Sequence, residues 1–159
     1  MIVQLILAFC LANLEERSPG VLWWTCSGRG RDLSRPAGNT TNWGYRQIRI
    51  LGNHYQLHRI IFLLHYKRWP FPGLEIDHID RNKLNNAISN LREVTKTFNL
   101  LNNAAEGVRK VPYGWNARVR LNGKQRTKTF KLYEDTKAWY DRERAQVVAG
   151  AWAECTAVI

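Results

Sequence analysis

Apolar and polar positions change period several times along the chain. Met1–Leu14 (MIVQLILAFCLANL) is almost wholly apolar, and Asn13–Gly20 breaks the run with charge, Ser, Pro and Gly. A short buried helix is the expectation. The run is too short to span a bilayer, which needs about 20 apolar residues. It also lacks the basic flank and small-residue cleavage site of a signal peptide. Val21–Trp24 is short, apolar and aromatic, as suits a strand. Cys26–Asn42 is rich in Gly, Arg, Ser and Asn and reads as a loop. Gly44–Ile50 alternates with the period of two of a half-buried strand. Gly52-Asn53 marks a turn and Tyr55–Leu57 resumes the alternation, so a hairpin is expected. His58–Tyr66 (HRIIFLLHY) has helical character and ends before Pro70 and Pro72.

Leu74–Ile79 is a second strand-like run. Asparagines then crowd the chain at Asn82, Asn85, Asn86 and Asn90. A loop leading into a short helix is expected, with Leu84, Ile88 and Leu91 as its apolar side. Glu93–Asn103 reads as a further helical piece. Composition shifts between Ala104 and Tyr113. Beyond it, Trp115, Ala117, Val119 and Leu121 alternate with polar residues. Asn122-Gly123 signals a hairpin turn, Lys124–Lys131 a returning strand, and Asp135 to Trp152 a helix capped by Asp135 or Thr136. The resulting division is an apolar helix over 1–20, a central domain over 21–104 and a small domain over 105–159.

Charge changes the picture. Lys and Arg number 24 against 13 Asp and Glu in 159 residues, a formal charge of +11, while 45% of residues are apolar. A core can form, and the basic balance calls for a polyanion: nucleic acid or an anionic membrane. The three cysteines, Cys10, Cys26 and Cys155, are far apart and include no Cys-x-x-Cys pair. That excludes a zinc ribbon or a thioredoxin-type motif and fits a reducing cytoplasm better than secretion. The loop cations Arg29, Arg31 and Arg35, set against Asp32, suit a solvated loop or a phosphate-contacting one equally.

Candidate chemistry lies in Glu75–Asn103. Asp77-His78 ends a strand-like run, Asn90 follows twelve residues after His78, and Asn99 nine residues later. A lone Asp-His pair is more often structural. Here these four side chains can converge if the following helix folds back. Phosphodiester hydrolysis needs a water nucleophile, a base and a cation for the developing charge. A histidine suits the base, and carboxylate and amide oxygens suit a hard cation.

The runs Y-x-L-H-R-I-I-x-x-L-H-Y-x-R-W-P and I-D-H-I-D-R-N-K-L-N-N-x-I-x-N-L-R-x-V-T, followed by N-x-x-N, resemble the HNH endonucleases of phages and self-splicing introns. The resemblance covers roughly Trp23–Asn103. It implies an α+β fold with a ββα-metal nuclease core. It implies His78 as general base, Asp77 and Asn99 as metal ligands, and Asn90 as the asparagine fixing loop and histidine. Arg59 matches the family's His-Arg pair and is a catalytic candidate that would bind phosphate; the plainer reading pairs it with Asp80. Many HNH enzymes carry histidine at the last position, so Asn99 makes this an H-N-N variant. The implied cofactor is a divalent metal ion, Mg²⁺ first and Mn²⁺ as the alternative. Gly107 to about Gly150 resembles the AP2-type DNA-binding module, three strands and a helix. Together they have the order of free-standing phage homing endonucleases.

The C-terminal region carries its own sign of DNA binding. Between Glu106 and Lys137 there are nine basic residues and three acidic ones. Arg109, Lys110, Arg118, Arg120, Lys124, Arg126, Lys128 and Lys131 are the DNA-binding candidates, with Arg118 and Arg120 opposite Trp115, Ala117 and Val119. The tryptophans are mostly core candidates. The expectation is a metal-dependent endonuclease of double-stranded DNA in a bacterial or phage-infected cytoplasm. It would be a monomer, with a dimer as the alternative, and would not bind a membrane. A non-catalytic DNA-binding protein that has kept the fold is the alternative function.

Overall fold

A computed structural model describes residues 2–102, 107–121 and 124–156. The chain divides into two compact units, Met1–Glu93 and Val94–Ile159. The expected boundary at 104–105 lies outside the described residues, as does the Asn122-Gly123 turn.

The first unit opens with α1 (Ile2–Asn13), ended by the Asn13 side chain, whose Nδ2 donates to Phe9 O at 2.7 Å. The helix buries Ile6 and Cys10, whereas Ile2, Leu5 and Leu11 stay exposed, so it is less buried than expected. Burial pushes the Cys10 thiol up to about 12, which keeps it protonated and apolar. Among the described residues no helix is long and apolar enough to cross a membrane.

The chain continues directly into β1 (Leu14–Ser18), which pairs antiparallel with β2 (Val21–Trp24). The charge-rich stretch read as a break is therefore a hairpin strand. Its polar residues face outward while Leu14 alone is buried. A second sheet has the order β3 (Asn39–Thr40), β4 (Arg46–Ile50), β5 (Asn53–Gln56), all neighbours antiparallel. Leu51 and Gly52, both at positive φ, make the tight turn between β4 and β5. α2 (Leu57–Tyr66) follows at once and buries Leu57, Ile60, Ile61, Phe62 and Leu63. Lys67 closes it in the left-handed region, its N–H on Leu63 O. Leu22, Trp24, Ile48, Ile50 and the α2 side chains share one core with Ile6 and Cys10.

β6 (Leu74–His78) pairs with β7 (Leu91–Thr95) in a two-stranded sheet. Arg68 and Glu93 pin the segment after α2 to β7. The two nitrogens meet the two carboxylate oxygens at 2.8 and 2.6 Å, and Phe71 N–H adds a bond at 2.8 Å. Burial alone would raise the Glu93 pKa; the Arg68 and Phe71 bonds outweigh it and hold the group lowered.

The helix expected over Leu84–Leu91 is absent. A single 3₁₀ turn, Ile88–Asn90, stands there, and Leu84 is exposed. Asx bonds capture the backbone instead: Asp80 Oδ1 takes Asn82 N–H at 2.8 Å and Asn82 Oδ1 takes Leu84 N–H at 3.1 Å. The helical piece expected from Glu93 begins as β7 and turns helical only at α3 (Lys96–Asn102). Thr95 Oγ1 accepts the Phe98 N–H at 3.2 Å, a cap that sets this start.

In the second unit, Val94 and Phe98 cluster with Ala151. β8 (Val108–Val111), β9 (Gly114–Leu121) and β10 (Lys124–Phe130) form an antiparallel sheet of order β10-β9-β8. Ala117 and Val119 pack against Tyr140 and Val147 of α4 (Tyr133–Thr156). This helix starts two residues before the expected cap. Thr136 is internal, its hydroxyl donating to Leu132 O at 2.8 Å. Trp115 meets Tyr133 edge-on and Trp139 packs on this core, as expected, but Trp43 and Trp152 are exposed rather than core.

Gly20 joins the first hairpin to the asparagine-rich loop. Its φ is +76°, and a Cβ there would lie 2.3 Å from Ala87 N and 2.4 Å from the Asn86 carbonyl carbon. Gly20→Ala should therefore cost about 2 kcal/mol or more, combining backbone strain with displacement of the loop. A urea midpoint unchanged from the parent would refute this account.

Candidate functional site

Asp77 and His78 are the last two residues of β6, and both are buried, at 6% and 5% exposure. The pairing with β7 brings Arg92 to Asp77. Its Nε and Nη2 donate to Asp77 Oδ2 at 3.0 and 2.9 Å. The carboxylate is thus held by a cation before any metal reaches it.

His78 is oriented by an asparagine that the sequence did not single out. Asn86 is 2% exposed, and its Oδ1 lies 3.0 Å from His78 Nε2. Its Nδ2 donates to Leu84 O at 3.2 Å, which fixes which end of the amide faces the ring. An amide oxygen only accepts, so His78 Nε2 carries the proton and Nδ1 is the basic nitrogen. The sequence signal is its place in the asparagine run, which the loop expected there also explains.

Asn90 acts on the loop rather than on the histidine. Its Oδ1 accepts Asp80 N–H at 3.0 Å, and its Nδ2 donates to Asp80 Oδ1 at 2.9 Å and to Asn85 O at 2.8 Å. Its carbonyl accepts Ile79 N–H at 2.9 Å. Asn85, Asn82 and Asn90, in that order of effect, lower the Asp80 pKa. With Asp80 so occupied, Arg59 goes elsewhere: its guanidinium stands 5.5 Å over the Trp69 ring. Asn99 lies on α3 in the second unit.

Aromatic rings wall the histidine. His58 meets it edge-on with centroids 5.0 Å apart, and Tyr45 packs on both rings, at 5.7 and 6.1 Å. Burial, and next the charges of Asp77 and Glu75, raise the Tyr45 phenol pKa. His58 is 4% exposed, and its Nδ1 has no hydrogen-bond partner among the described residues. Burial first, then His78 and Arg59, lowers its pKa to about 3. It is a neutral ring that packs.

The donor set fits a hard cation without forming a cage. Among the described residues no three His, Cys, Asp or Glu side chains gather as metal ligands. One carboxylate, Asp77, ends β6, and Mg²⁺ commonly binds through one or two carboxylates plus water and substrate phosphate.

In the second unit the eight basic candidates separate by strand register. Arg109 pairs with Asn116, so it shares the open sheet face with Arg118 and Arg120, and all three are exposed. Lys110 pairs with Trp115, and Arg126 and Lys128 with Val119 and Ala117, so these lie on the helix-covered side. Arg126 there binds Glu143 at 2.7 Å, and Lys110 and Lys128 stand over aromatic rings. Lys124, pairing with Leu121, follows the same alternation, and Lys131 lies beyond the sheet.

Removing His58's titration gives a test with a definite sign. The unfolded chain binds this proton below about pH 6.5 and the folded chain only near pH 3. Stability from this group is therefore lost as pH falls through that window, by up to about 1.4 kcal/mol per pH unit. His58→Phe should flatten that acid limb in urea unfolding at stepped pH; an unchanged limb would exclude the group as its source.

Residues 55–101 match the HNH endonuclease family. The DNA endonuclease I-HmuI of Bacillus phage SP01 is 36% identical over 72 residues, 43% of this chain and 41% of that protein. An uncharacterised HNH endonuclease of Acanthamoeba polyphaga mimivirus is 35% identical over 120 residues, 65% of this chain and 64% of that protein. The chain thus spans well under two thirds of the first relative's length and just under two thirds of the second's. A solved structure titled for DNA binding and cleavage by the HNH homing endonuclease I-HmuI aligns with 70% of this chain and 68% of its own. Its TM-score is 0.39 and its identity 21%. By the sequence matches, the segment holding Asp77, His78, Asn86, Asn90 and Asn99 is similar to HNH endonucleases.

Proposed function

We propose that the protein is a divalent-metal-dependent endonuclease of double-stranded DNA, of homing type, acting as a monomer. The observation that carries this reading is His78, whose basic Nδ1 is set by the Asn86 amide beside the Asp77 carboxylate. His78 Nδ1 takes the proton from the attacking water. Asn86 holds the Nε2 proton and keeps the ring from rotating. Asn90 holds the loop that carries Asn86. Asp77 is the proposed ligand of a divalent ion, most simply Mg²⁺, which when bound offsets charge developing on the phosphate and the leaving oxygen. Arg92 holds the Asp77 carboxylate in place. The plan of one such cluster per chain favours a nick by a monomer.

The C-terminal sheet and helix serve as an AP2-like DNA-binding module. Arg109, Arg118 and Arg120 on the open face contact the duplex. The four residues Lys110, Lys124, Arg126 and Lys128 on the other side act through general charge or packing. A non-catalytic DNA-binding protein is the second reading. It is favoured by the Arg92 fork on Asp77, which any cation must compete with.

Supercoiled plasmid incubated with Mg²⁺, Mn²⁺ or EDTA tests the proposal. The wild type should give open-circle product in metal and none in EDTA. His78→Ala should slow nicking about 10²- to 10⁴-fold. Asn86→Ala should lower kcat while leaving DNA affinity in EDTA unchanged. Equal nicking by wild type and His78→Ala would remove His78 as the base. DNA retention without cleavage in either metal would establish the second reading.

A further inference from the structure

A cavity of about 650 Å³ lies in the first unit between the loop after β2 and the β4–β5 hairpin. Four guanidinium groups line it, Arg29, Arg31, Arg35 and Arg49, against one carboxylate, Asp32. Four like charges around one concavity repel, so the arrangement persists only because the backbone holds it. That support is visible. Arg31 Nη1 donates to Asn13 Oδ1 at 2.7 Å and to Cys26 Sγ at 2.9 Å, and its guanidinium lies 5.1 Å from the Phe9 ring centre and 4.9 Å from that of Trp24. A Cβ at Gly28 would press on the Arg31 stem at 3.1 Å. Arg46 Nη2 gathers the carbonyls of Pro36, Ala37 and Gly38 at 3.2, 3.1 and 3.1 Å. Gly38 itself lies so close to β4 that a Cβ would stand 2.5 Å from Gln47 O.

The remaining cations are available. Arg29 is exposed, with no hydrogen bond or ion pair among the described residues. Arg35 pairs with Asp32 at 2.8 Å, but both side chains are exposed, and such surface pairs add little. Asp32 is also committed to Ser34, accepting its N–H at 2.9 Å and its hydroxyl at 2.6 Å. Arg49 is exposed, its Nε on Gly52 O at 3.2 Å. Guanidinium forks match phosphate oxygens two at a time. The three available ones, from a loop and a separate hairpin, exceed what one phosphate needs.

We infer that this cleft binds the phosphate backbone of a nucleic-acid strand, giving the first unit a DNA contact separate from the basic sheet of the second. The inference rests on the DNA reading above but not on catalysis. Binding of the full chain to a fluorescein-labelled duplex of arbitrary sequence, in EDTA and across a salt series, tests it. Each phosphate contact contributes about 0.9 to the slope of log K against log salt. Arg29→Gln/Arg35→Gln should lower that slope by about 1.8 and weaken binding at every salt concentration. Lys67→Gln/Arg142→Gln, with the same charge change outside the cleft, should leave the slope unaltered.

Equal slopes in the Arg29/Arg35 double variant and the wild type would overturn the inference, as would an equal drop in the Lys67/Arg142 control. A mononucleotide titration separates the other source of phosphate. Saturable mononucleotide binding lost in the Arg29/Arg35 variant, with the duplex slope unchanged, would assign the cleft to a free nucleotide and overturn the strand assignment. Because the duplex assay needs no cleavage, failure of the His78 chemistry leaves its outcome readable.

Discussion

The central constraint is the closure of the loop between β6 and β7 by Asn90. One side chain accepts the Asp80 N–H and donates to both Asp80 and Asn85, while its own carbonyl accepts the Ile79 N–H. Those bonds tie the residues just after His78 to the residue just before β7. A bonded Asn amide supplies donor and acceptor at once. With the loop closed, Asn86 is placed against His78 and the tautomer follows. Without it, the ring has no fixed proton.

Two ion pairs made by adjacent residues of β7 reinforce the same sheet. Arg68–Glu93 attaches the exit of α2 to β7, and Arg92–Asp77 ties β7 to β6 at the candidate site. Both carboxylates are 7% exposed, so removing either arginine would leave a shielded charge unpaired. The same Arg92 fork fixes the position of the Asp77 carboxylate at the end of β6. Gly20 belongs to this system too, because the first hairpin turn sits against the backbone of Asn86 and Ala87 with no room for a methyl group.

Much of the fold was legible because its signals are local. The alternation of Ala117 and Val119 with Arg118 and Arg120 gave both strand and face, and the structure buries the first pair and exposes the second. The Gly44–Leu57 hairpin and the helix after it followed from period and turn residues alone. The short helix expected to follow the asparagine-rich loop does not form. Its leucines have helical spacing, but the Asx bonds of Asp80 and Asn82 take the amide protons that a helix would need. The β1 strand was missed because its only buried residue is Leu14, too weak a pattern to read against the charge around it.

Residue types and spacing by themselves determined Asp77-His78 at a strand end, an asparagine twelve residues on, and a strongly basic C-terminal sheet. They did so because alternation, turn propensity and charge are properties of short segments. Tertiary structure decided which asparagine holds the histidine, since Asn86 and Asn90 are equally polar neighbours and only the loop's closure aims them differently. It also decided that Arg59 stands over Trp69 rather than beside Asp80, because the loop had already consumed that carboxylate. Register separated Arg118 and Arg120 from Arg126 and Lys128, which share one sequence pattern but opposite faces of a sheet. Hydrogen-bond competition and cross-strand register depend on partners distant in sequence, and no period along the chain encodes them.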